Sequence, residues 1–397
     1  GCNMCGGIIS ESLVQLLATE GISFPSNVIQ RGIESYLLHT DVGKVRIRTP
    51  LGEKRIGAVH RGTGPKGSRE FAWESFDGHL QSLAVGEGAR VVRDMVTDVT
   101  WQGDRPCLVT RKGTTDPFDL VVVATGVNSR VLQTFEALEL GYEAPTPSKT
   151  AIREFFLGEE VVDEYLGHSM HVFLLDIPRL EFAAVIPKGA HATVCLLGKD
   201  IDQELVDTFL ASPEVRACFP PDWSPSEPAC RCWPNINLHG SPRPFADRMV
   251  FIGDAGVARL YKDGIGSAYR TAKAAASTAI LQGVSAEDFE SHFHPTCASI
   301  EKDNRIGRFI FWVTHFVQHI RFARKALVRM VAYEQAGEQR AKRMSMVLWD
   351  MFTGSAPYRE ALGRTIHPLF GLRFFYDLLM ALIPFTGRPR GVTENGQ

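Results

Sequence analysis

Residues 249–255 read MVFIGDA, and residues 262–268, after a six-residue loop, read KDGIGSA. The first stretch is an apolar run that ends at Gly253-Asp254, and the second is a glycine-rich turn that leads into an alanine-rich segment. We therefore predict a buried strand with an acidic end, followed by a glycine-rich turn that opens a helix over residues 268–281. The start of a helix offers unpaired N–H groups and a partial positive charge, and a carboxylate accepts hydrogen bonds from sugar hydroxyls. The pattern predicts a site for a polyhydroxylated cofactor that carries phosphates.

A second apolar run supports the same site. Residues 120–126 read LVVVATG, which suits a strand buried on both faces, as in a parallel sheet. The small residues at its end permit close approach of a cofactor to the backbone at Gly126. The alternative for both stretches is an ordinary turn after a strand. The acidic strand end together with Gly264 and Gly266 favours the cofactor site, where the helix dipole would face the electron-rich edge of a flat ring.

The composition is that of an ordinary globular protein. The 397 residues are 44% hydrophobic and 22% charged, and this length predicts two or three domains. The net charge of −2 gives no argument for nucleic-acid binding. Eight scattered cysteines without a secretory signal favour reduced thiols in the cytoplasm. No apolar run reaches the roughly 18 residues of a membrane span, since Arg373 and Asp377 interrupt the nearest one, residues 369–385.

Periodicity divides the chain into regions of different structure. Helical spacing predicts helices at residues 8–20, 75–85 and 268–281, and from residue 292 to the end. Alternation and short apolar runs predict strands within residues 28–59, 89–92, 95–101, 107–111, 120–124, 151–200 and 249–252. Glycines and prolines predict a loop at 60–67 and irregular structure at 218–244. We expect a mixed α/β fold, in which a Rossmann-like domain is interleaved with an antiparallel-sheet domain and followed by a helical region.

Four segments resemble the geranylgeranyl reductase family of FAD-dependent oxidoreductases, within the larger group that includes the aromatic hydroxylases. Residues 5–10 (CGGIIS) resemble its Cys-Gly-Gly turn before a helix, and residues 76–80 (FDGHL) resemble its Phe-Asp helix. Residues 124–126 (ATG) are similar to its Ala-Thr-Gly turn, and the stretch from Gly253 to Gly266 resembles its flavin-contacting signature. The resemblance covers roughly residues 1–285.

The resemblance implies that the cofactor is FAD and that matching positions bind it. The implied cofactor-binding residues are Cys5, Gly6 and Gly7 beside the flavin, Thr97 on the adenine side through its backbone, Gly126, Gly253, Asp254 on the ribityl chain, and Gly264, Gly266 and Ser267 along the ring. The implied domains are a cofactor domain at residues 1–29, 72–128 and 247–291, a substrate domain at residues 30–71 and 129–246, and a C-terminal helical region at residues 292–397.

Three departures from the family pattern stand out. Trp73 replaces an Arg that usually lies three residues before the Phe-Asp pair. The family's aromatic-x-Trp-x-Phe-Pro substrate motif survives as FAAVIP at residues 182–187, with Ala184 in place of Trp, which puts isoprenoid specificity in doubt. No Gly-x-Gly-x-x-Gly with its strand and ribose-binding acid is present, although such a unit would precede Cys5 by about 40 residues. We expect the native protein to begin with that unit, so that this stretch alone binds FAD poorly; a protein that has lost FAD binding is the alternative.

Two cysteine pairs invite a redox or metal-binding interpretation. Cys2-x-x-Cys5 and Cys230-x-Cys232 have no histidine at zinc-finger spacing, so structural or incidental cysteines are favoured and no metal is predicted. Cys5 is the exception, because its position in the family pattern makes it a candidate catalytic residue for gating or proton delivery.

The residues just before the glycines supply the other catalytic candidate. Lys262, with Asp263 beside it, is positioned to donate a proton, and a solvated loop is the alternative. The loop at residues 61–65 (RGTGP) either covers the cofactor or substrate or connects a sheet to a helix.

The C-terminal region is basic and aromatic. Its basic residues are Arg305, Arg308, Arg321, Arg324, Lys325 and Arg329, and they interleave with Phe309, Phe311, Trp312, Phe316 and Phe322. The spacing predicts amphipathic helices. They either lie on an anionic membrane surface, as peripheral contacts of a cytoplasmic protein, or pack onto the cofactor domain with a basic solvent face.

The sequence thus predicts an FAD-dependent oxidoreductase that reduces C=C bonds of a large apolar or isoprenoid-like substrate by hydride transfer from reduced flavin. NADPH or an electron-carrier protein would supply the electrons. A flavin-dependent monooxygenase or halogenase is the first alternative, and a non-catalytic binding protein on a decayed flavoprotein fold is the second.

Overall fold

The computed structural model describes residues 5–51, 54–64, 74–225, 230–337 and 341–383. The chain divides into two compact units. Unit 1 comprises residues 1–82, 149–234 and 306–397, and unit 2 comprises residues 83–148 and 235–305. The three predicted domains, for cofactor, substrate and the C-terminal region, stay a prediction.

The strands, in chain order, are β1 (Ile8–Ser10), β2 (Ile29–Ile33), β3 (Ser35–Thr40), β4 (Gly43–Arg48), β5 (Ile56–Val59), β6 (Val96–Gln102), β7 (Arg105–Thr110), β8 (Gly113–Thr114), β9 (Val121–Val123), β10 (Thr146–Lys149), β11 (Ala151–Phe156), β12 (Ser169–Phe173), β13 (Leu180–Lys188), β14 (His191–Gly198), β15 (Cys230–Cys232), β16 (Asn235–His239), β17 (Phe245–Ala246) and β18 (Met249–Phe251).

The α-helices are α1 (Glu11–Thr19), α2 (Phe76–Gly86), α3 (Val131–Glu136), α4 (Glu159–Tyr165), α5 (Gln203–Ala211), α6 (Pro213–Arg216), α7 (Gly264–Leu281), α8 (Ala286–Asp288), α9 (His294–His319), α10 (Arg321–Gln335), α11 (Arg343–Thr353), α12 (Tyr358–Thr365) and α13 (Pro368–Leu382). A 3₁₀ turn covers Gly253–Ala255, and a π-helix covers Phe289–Phe293.

Unit 1 is built on a seven-stranded sheet with the strand order β15-β11-β14-β13-β12-β3-β4. All neighbours are antiparallel except β12 and β3, which run parallel with His171 opposite Leu37. A smaller sheet, β1-β5-β2, lies in the same unit. The antiparallel strands expected within residues 28–59 and 151–200 are therefore confirmed.

The two faces of the large sheet have different surroundings. Side chains alternate along each strand and face the same way as those directly opposite on the next strand. Ala183, Val185 and Val194 belong to one face and form a buried apolar core with α5, through residues such as Leu205 and Phe209. We call this the core face. The opposite face carries Ile186, Lys188 and Cys195; we call it the Cys5 face, because these residues meet the Cys5 turn described below.

The C-terminal helices of unit 1 pack against its strands and against one another. Trp349 on α11 is fully buried, stacks on Tyr36 of β3 with 5.7 Å between ring centroids, and donates its indole N–H to the Lys54 carbonyl at 3.0 Å. Phe182 of β13 packs against Phe311 of α9 and Phe352 of α11. The predicted helical C-terminal region is confirmed, and much of its apolar surface stabilises unit 1.

Unit 2 contains the strand–turn–helix stretch. Its strands form the sheets β17-β18-β9 and β6-β7-β8, and β16 pairs with β10. β18 and β9 are parallel, with Phe251 opposite Val123, and the helix α7 follows the turn after β18. The parallel pairing is confirmed, and so is the helix predicted at residues 268–281, which begins four residues earlier, at Gly264.

Two local predictions in unit 2 are wrong. Val122 is 47% exposed whereas Val121 and Val123 are buried, so only one face of β9 is covered among the described residues. Residues 89–92 form no strand. Val91 and Val92 are exposed there, and no described strand pairs with them; β-branched residues form a strand only where a neighbour supplies hydrogen bonds.

Candidate functional site

In unit 2, the structure brings the ends of two predicted site strands together. The Ile252 N–H donates to the Val123 carbonyl at 3.0 Å, so the parallel strands β18 and β9 end at the same edge. Gly126 follows β9, and Asp254 follows β18. Ligands of open α/β sheets bind outside the carboxyl ends of parallel strands. Residues predicted from stretches more than 120 positions apart therefore share one edge of the sheet.

Gly253 is held in a position that no larger residue fits easily. Its φ is +57°, in the left-handed region, and a Cβ would lie 3.2 Å from the Cβ of Ala268 on α7. Its N–H donates to Thr271 Oγ1 at 2.9 Å. These contacts fix the 3₁₀ turn that carries the half-buried Asp254 at the strand end.

The start of α7 has the features expected of a cofactor-binding helix end. Asp263 occupies the cap position in a left-handed conformation and makes no side-chain capping bond, so the first N–H groups of the helix have no partner within it. A Cβ on Gly264 would meet no described atom within 4 Å. The helix therefore begins beside open space, with its positive end toward that space.

Asp263 and Lys262 are not part of a solvated loop. The Asp263 carboxylate accepts from Arg259 at 2.6 Å and from Arg270 at 2.9 Å, and Lys262 is 7% exposed. The alternative of a solvated loop is therefore wrong. The two guanidinium groups hold the carboxylate against Gly266, where a Cβ would overlap it.

The same loop stores backbone strain. Tyr261 and Asp263 have φ values of +57° and +51°, although neither is glycine. Left-handed residues of this kind cost on the order of 1–3 kcal/mol each and cluster at ligand sites. Ser267, predicted to line the ring, is fully buried; its hydroxyl accepts from the Arg259 N–H at 3.0 Å and donates to the Asp263 carbonyl at 2.9 Å. It holds the strained loop in place.

Thr97 lies on β6 at an irregularity in the strand pairing. The register between β6 and β7 shifts between Val96 and Asp98, so Thr97 has no direct cross-strand partner. The residue is exposed. A register shift frees backbone groups from the ladder and often occurs next to a binding site, which agrees with the predicted contact through its backbone.

In unit 1, the Cys-Gly-Gly turn sits on the Cys5 face of the large sheet. A Cβ on Gly6 would lie 3.3 Å from Ile186 Cδ1 and 3.5 Å from Cys195 Sγ. Gly7 has a φ of +66°, and a Cβ there would overlap the Val59 carbonyl oxygen. Gly7 therefore cannot carry a side chain without displacing the backbone of β5, whereas a side chain at Gly6 would crowd Ile186 on the sheet.

Cys5 itself is half-buried and lies among hydrogen-bond donors. The Gly7 N–H donates to Cys5 Sγ at 3.2 Å, and the Arg61 guanidinium lies 4.0 Å from the same sulfur. Burial lowers the pKa of Arg61, but the Cys5 thiol and the Asp77 carboxylate outweigh this effect and raise it overall. Arg61 is therefore a permanent cation beside the cysteine.

The Phe-Asp motif anchors the loop that carries Arg61. The Asp77 carboxylate accepts from Arg61 Nε at 2.7 Å and from the Gly62 N–H at 2.6 Å. The described part of this loop thus fixes the cation beside Cys5. Trp73, Cys2 and Pro65 lie outside the described residues.

The sequence analysis missed a buried polar cluster under the Cys5 turn. Lys188 is fully buried; its Nζ lies 3.6 Å from Glu154 Oε1 and donates to the Cys5 carbonyl at 3.3 Å. Thr193 donates its hydroxyl to the same Glu154 oxygen at 2.9 Å. Buried charges in proteins are paired, and this pair holds the Cys5 turn through a hydrogen bond to its backbone.

Two histidines border this cluster. The rings of His60 and His191 meet edge to face, with 5.7 Å between centroids. Burial, the Lys188 ammonium and His191 lower the pKa of His60 to about 2. Burial and Lys188 lower the pKa of His191, against the opposing effect of Glu154. Both imidazoles are therefore neutral at pH 7, and burial beside the Lys188 ammonium disfavours their protonated forms.

One signal in the sequence could have revealed the cluster. His191, Thr193 and Cys195 alternate along β14, so their side chains share one face of a strand. Polar residues at every second position of a buried strand indicate a polar site on one face of the sheet. Their partners Lys188 and Glu154 become visible only from the strand register.

The remnant of the family's substrate motif lies on the same face. Phe182, Ala184 and Ile186 alternate along β13 with Lys188, and each is buried. The structure therefore brings the Cys5 turn, the polar cluster and the motif strand together within unit 1, whereas Lys262, Asp254 and the other predicted cofactor residues belong to unit 2.

Other predicted features have local structural roles. Cys230 and Cys232 lie on β15 with their sulfur atoms 3.0 Å apart. Arg324, predicted on the basic face of the C-terminal region, is instead 3% exposed and pairs with Asp41 and Asp176. That part of the basic-face prediction is wrong, because the acidic partners come from distant strands and loops.

No protein-family model and no curated protein matches this sequence. Solved structures do match. A geranylgeranyl bacteriochlorophyll reductase-like protein from Thermoplasma acidophilum has a TM-score of 0.64 at 15% identity, covering 91% of this chain and 88% of that one. A flavoprotein/dehydrogenase from Cytophaga hutchinsonii has a TM-score of 0.59 at 13% identity, with coverages of 95% and 90%. This chain has a flavoprotein fold.

Halogenases share this fold as well. A flavin-dependent halogenase from a Brevundimonas species has a TM-score of 0.55 at 10% identity, covering 95% of this chain and 89% of that one. The predicted fold class, a mixed α/β flavoprotein with a helical C-terminal region, is confirmed. At these sequence identities the similarity shows only the fold, and proteins with this fold catalyse several different reactions.

Proposed function

We propose that this protein is an FAD-dependent oxidoreductase that reduces carbon–carbon double bonds of a large apolar, isoprenoid-like substrate. The observation that carries the proposal is the start of α7, where the chain presents uncapped N–H groups beside the open space at Gly264. The protein itself gives no steric reason for glycine at that position. A flat ring stacked against the backbone does give one.

The residues of unit 2 fit the parts of this cofactor. The Asp254 carboxylate, at the end of β18, accepts hydrogen bonds from ribityl hydroxyls, and Gly264 and Gly266 line the ring. Thr97, Gly126 and Gly253 are proposed to contact the cofactor through their backbones. FAD, when bound, supplies the hydride chemistry that amino-acid side chains lack.

Cys5 is proposed to hold the proton that completes the reduction. A thiol at Cys5 Sγ gives its proton to the substrate carbon, and the Gly7 N–H and the Arg61 guanidinium stabilise the sulfur anion that remains. The resemblance assigns Cys5, Gly6 and Gly7 to the flavin as well. Lys262 is proposed as a second proton donor, and its buried position next to Asp263 at the start of α7 supports this role.

An apolar substrate is proposed from the resemblance, because β13 carries the remnant of the family's substrate motif, with Ala184 where that pattern has Trp. Phe182, Ala184 and Ile186 are apolar and buried on this strand. The electrons would come from NADPH or from an electron-carrier protein.

The test uses Asp254→Ala in the full-length protein. We expect FAD to be lost during gel filtration, because the ribityl hydroxyls lose their acceptor, whereas the exposed Asp119→Ala in the same unit retains it. Bound FAD is measured by its absorbance per chain. Unchanged FAD occupancy in Asp254→Ala would refute the site assignment, and absence of FAD from the unaltered full-length protein would favour a non-catalytic binding protein.

Oxygen consumption separates reduction from oxygenation. A reductase forms product anaerobically from reduced FAD, whereas a monooxygenase or halogenase consumes oxygen in proportion to product. Product that requires oxygen would replace C=C reduction by the alternative reaction while leaving the flavin site in place.

We also propose peripheral contact with an anionic membrane surface. None of the described helices is long and apolar enough to cross a bilayer. One side of α13 nevertheless exposes an apolar stripe made of Leu369, Leu372, Phe375, Tyr376, Leu379 and Leu382. Exposed Arg321 and Lys325 lie on α10, which packs against α13. Apolar side chains flanked by cations suit an anionic bilayer, which would also present an apolar substrate.

A further inference from the structure

A cluster of three metal-binding side chains lies in the core of unit 1. His39 is on β3, His171 is on β12, and Cys218 follows α6. All three are buried. His39 Nε2 lies 3.1 Å from His171 Nδ1, which in turn lies 3.2 Å from Cys218 Sγ, and the distance from Cys218 Sγ to His39 Nε2 is 4.0 Å. Three atoms that bind transition metals therefore converge on one point.

The spacing of these atoms fits a shared ion. Metal–nitrogen bonds of about 2.0–2.1 Å and metal–sulfur bonds of about 2.3 Å place the ligand atoms roughly 3.3–3.8 Å apart. The observed distances lie around that range. The two shorter distances lie just below the range, and the distance from Cys218 Sγ to His39 Nε2 lies just above it.

The cluster is separate from the proposed cofactor residues. His171 lies opposite Val185, and His39 lies opposite Phe173, which lies opposite Ala183. These partners place both histidines on the core face, whereas Lys188 and Cys195 are on the Cys5 face of the same sheet. A metal here would not contact the Cys5 turn.

The surroundings orient the two rings. His39 stacks on Phe173 with 4.6 Å between centroids, which fixes its plane. His171 also makes a hydrogen bond with the Leu166 backbone, the kind of second contact that orients a metal-bound imidazole. Burial lowers the pKa of His39 well below its ordinary value and that of His171 to about 4, so both rings are neutral at pH 7.

Hydrogen bonds engage each side chain of the cluster, since Cys218 Sγ also donates to the Glu214 carbonyl at 3.5 Å, but they do not use the convergence of the three atoms. His171 Nδ1 is approached by both His39 Nε2 and Cys218 Sγ, yet a ring nitrogen takes part in one such bond as donor or as acceptor. A single metal ion satisfies all three atoms at once.

We propose that His39, His171 and Cys218 form a three-ligand site for a metal ion that prefers imidazole and thiolate, either Cu⁺ or Zn²⁺. The Cys218 thiol gives up its proton and the sulfur bonds the ion, so Cu⁺ leaves a neutral complex and Zn²⁺ leaves one positive charge. Lys44, across the strand pair from His39, is a nearby cation that favours the neutral complex. The ion joins β3, β12 and the segment after α6, and thereby stabilises unit 1.

The experiment measures metal bound to the full-length protein. The protein is loaded anaerobically with Cu⁺ or with Zn²⁺, freed of excess ion by gel filtration, and analysed by mass spectrometry of the elements. We expect about one retained ion per chain, and at least about a tenfold loss in Cys218→Ser and in His171→Gln. Cys297→Ser is the matched control, because Cys297 is a buried free thiol outside the cluster; it should keep the ion.

X-ray absorption of the loaded unaltered protein gives a result that does not depend on the folding of any variant. One sulfur and two nitrogen neighbours around the ion support the site, and a shell without sulfur overturns it. Failure of the unaltered protein to retain either ion, or full retention by a folded Cys218→Ser, also overturns it. Retention of Zn²⁺ but not Cu⁺ keeps the site and overturns the charge argument.

Discussion

Glycines in the proposed sites are required for different physical reasons. At Gly7 the backbone is left-handed and a Cβ would overlap the Val59 carbonyl oxygen, and at Gly266 a Cβ would overlap the Asp263 carboxylate. Both are explained by the protein alone. Gly264 has no such neighbour among the described atoms and is in helical backbone, where alanine is the better residue. The glycine at this position is therefore evidence for a ligand.

Gly264→Ala separates stability from cofactor binding. We expect the free energy of unfolding without cofactor to stay equal or to rise by up to about 1 kcal/mol, because alanine favours helix. The affinity for FAD should fall at least about tenfold, because the new methyl group occupies the space of the ring; a tenfold change corresponds to about 1.4 kcal/mol.

Urea unfolding and FAD titration of the full-length protein measure the two effects. Gly363→Ala is the control, since Gly363 on α12 also has helical backbone and no neighbour within 4 Å but lies outside the proposed site. Equal FAD affinity in Gly264→Ala and the unaltered protein would contradict the stacking of a ring at this helix start.

A buried charge network joins the helix α11 to the segment before β5 and to the helix α12. Asp350 is fully buried and accepts from Lys54 at 2.6 Å, from Ser355 at 3.0 Å and from Arg364. Removing one partner of a buried ion pair leaves an uncompensated charge and typically costs about 3–5 kcal/mol. We expect Asp350→Ala to lower the free energy of unfolding by this amount.

Denaturant unfolding measures this loss, with Asp104→Ala as the exposed control. Asp104 pairs with Arg248 at 2.9 Å but its side chain is 77% exposed, and such pairs contribute at most about 1 kcal/mol. A loss in Asp350→Ala no greater than that in Asp104→Ala would show that the network does not hold the helix.

The histidines of the Cys5 face predict acid sensitivity. The folded protein holds His60 neutral with a pKa of about 2, whereas an unfolded histidine titrates near its ordinary value of 6.5. The unfolded state therefore binds more protons, so stability is complete above about pH 6.5 and declines as the pH falls toward the folded pKa. His60 alone should cost about 2 kcal/mol of stability between about pH 7 and about pH 5.

Urea unfolding at both pH values checks this expectation in the unaltered protein and in His60→Gln. The variant should lose less stability on acidification, because glutamine does not titrate. Parallel loss in both proteins would assign the acid sensitivity to other groups.

The exposed apolar surface of unit 1 predicts membrane binding. Leu372 is 67% exposed on α13, so Leu372→Glu should not disturb folding but should reduce flotation with anionic vesicles at least about fivefold, because a carboxylate resists the bilayer. Ile280→Glu, at a position in unit 2 that is 80% exposed, is the control and should bind as the unaltered protein does.

Flotation with phosphatidylglycerol vesicles at low and high salt measures the effect. Binding should weaken as salt screens Arg321 and Lys325. Absence of binding in the unaltered protein, or equal loss in both variants, would remove the membrane from the proposal.

The strand–turn–helix stretch could be predicted from the sequence, because its signals come from residues that are neighbours in the chain. Alternation, apolar runs and glycines act between neighbours in the chain, so β18, the Gly253 turn and the start of α7 were all predictable. The same reasoning failed at Val122 and at residues 89–92, because exposure and pairing depend on which strand lies alongside.

Contacts between distant residues required the folded chain. Lys188 donates to the Cys5 carbonyl across 183 positions, and Cys218 approaches His39 across 179. Strand register sets which side chains share a face, and no local pattern encodes the register of strands brought together from separate stretches. The sequence therefore specified the turn and helix start proposed to bind a flavin, while folding assembled the buried charges behind Cys5 and the three side chains proposed to bind a metal.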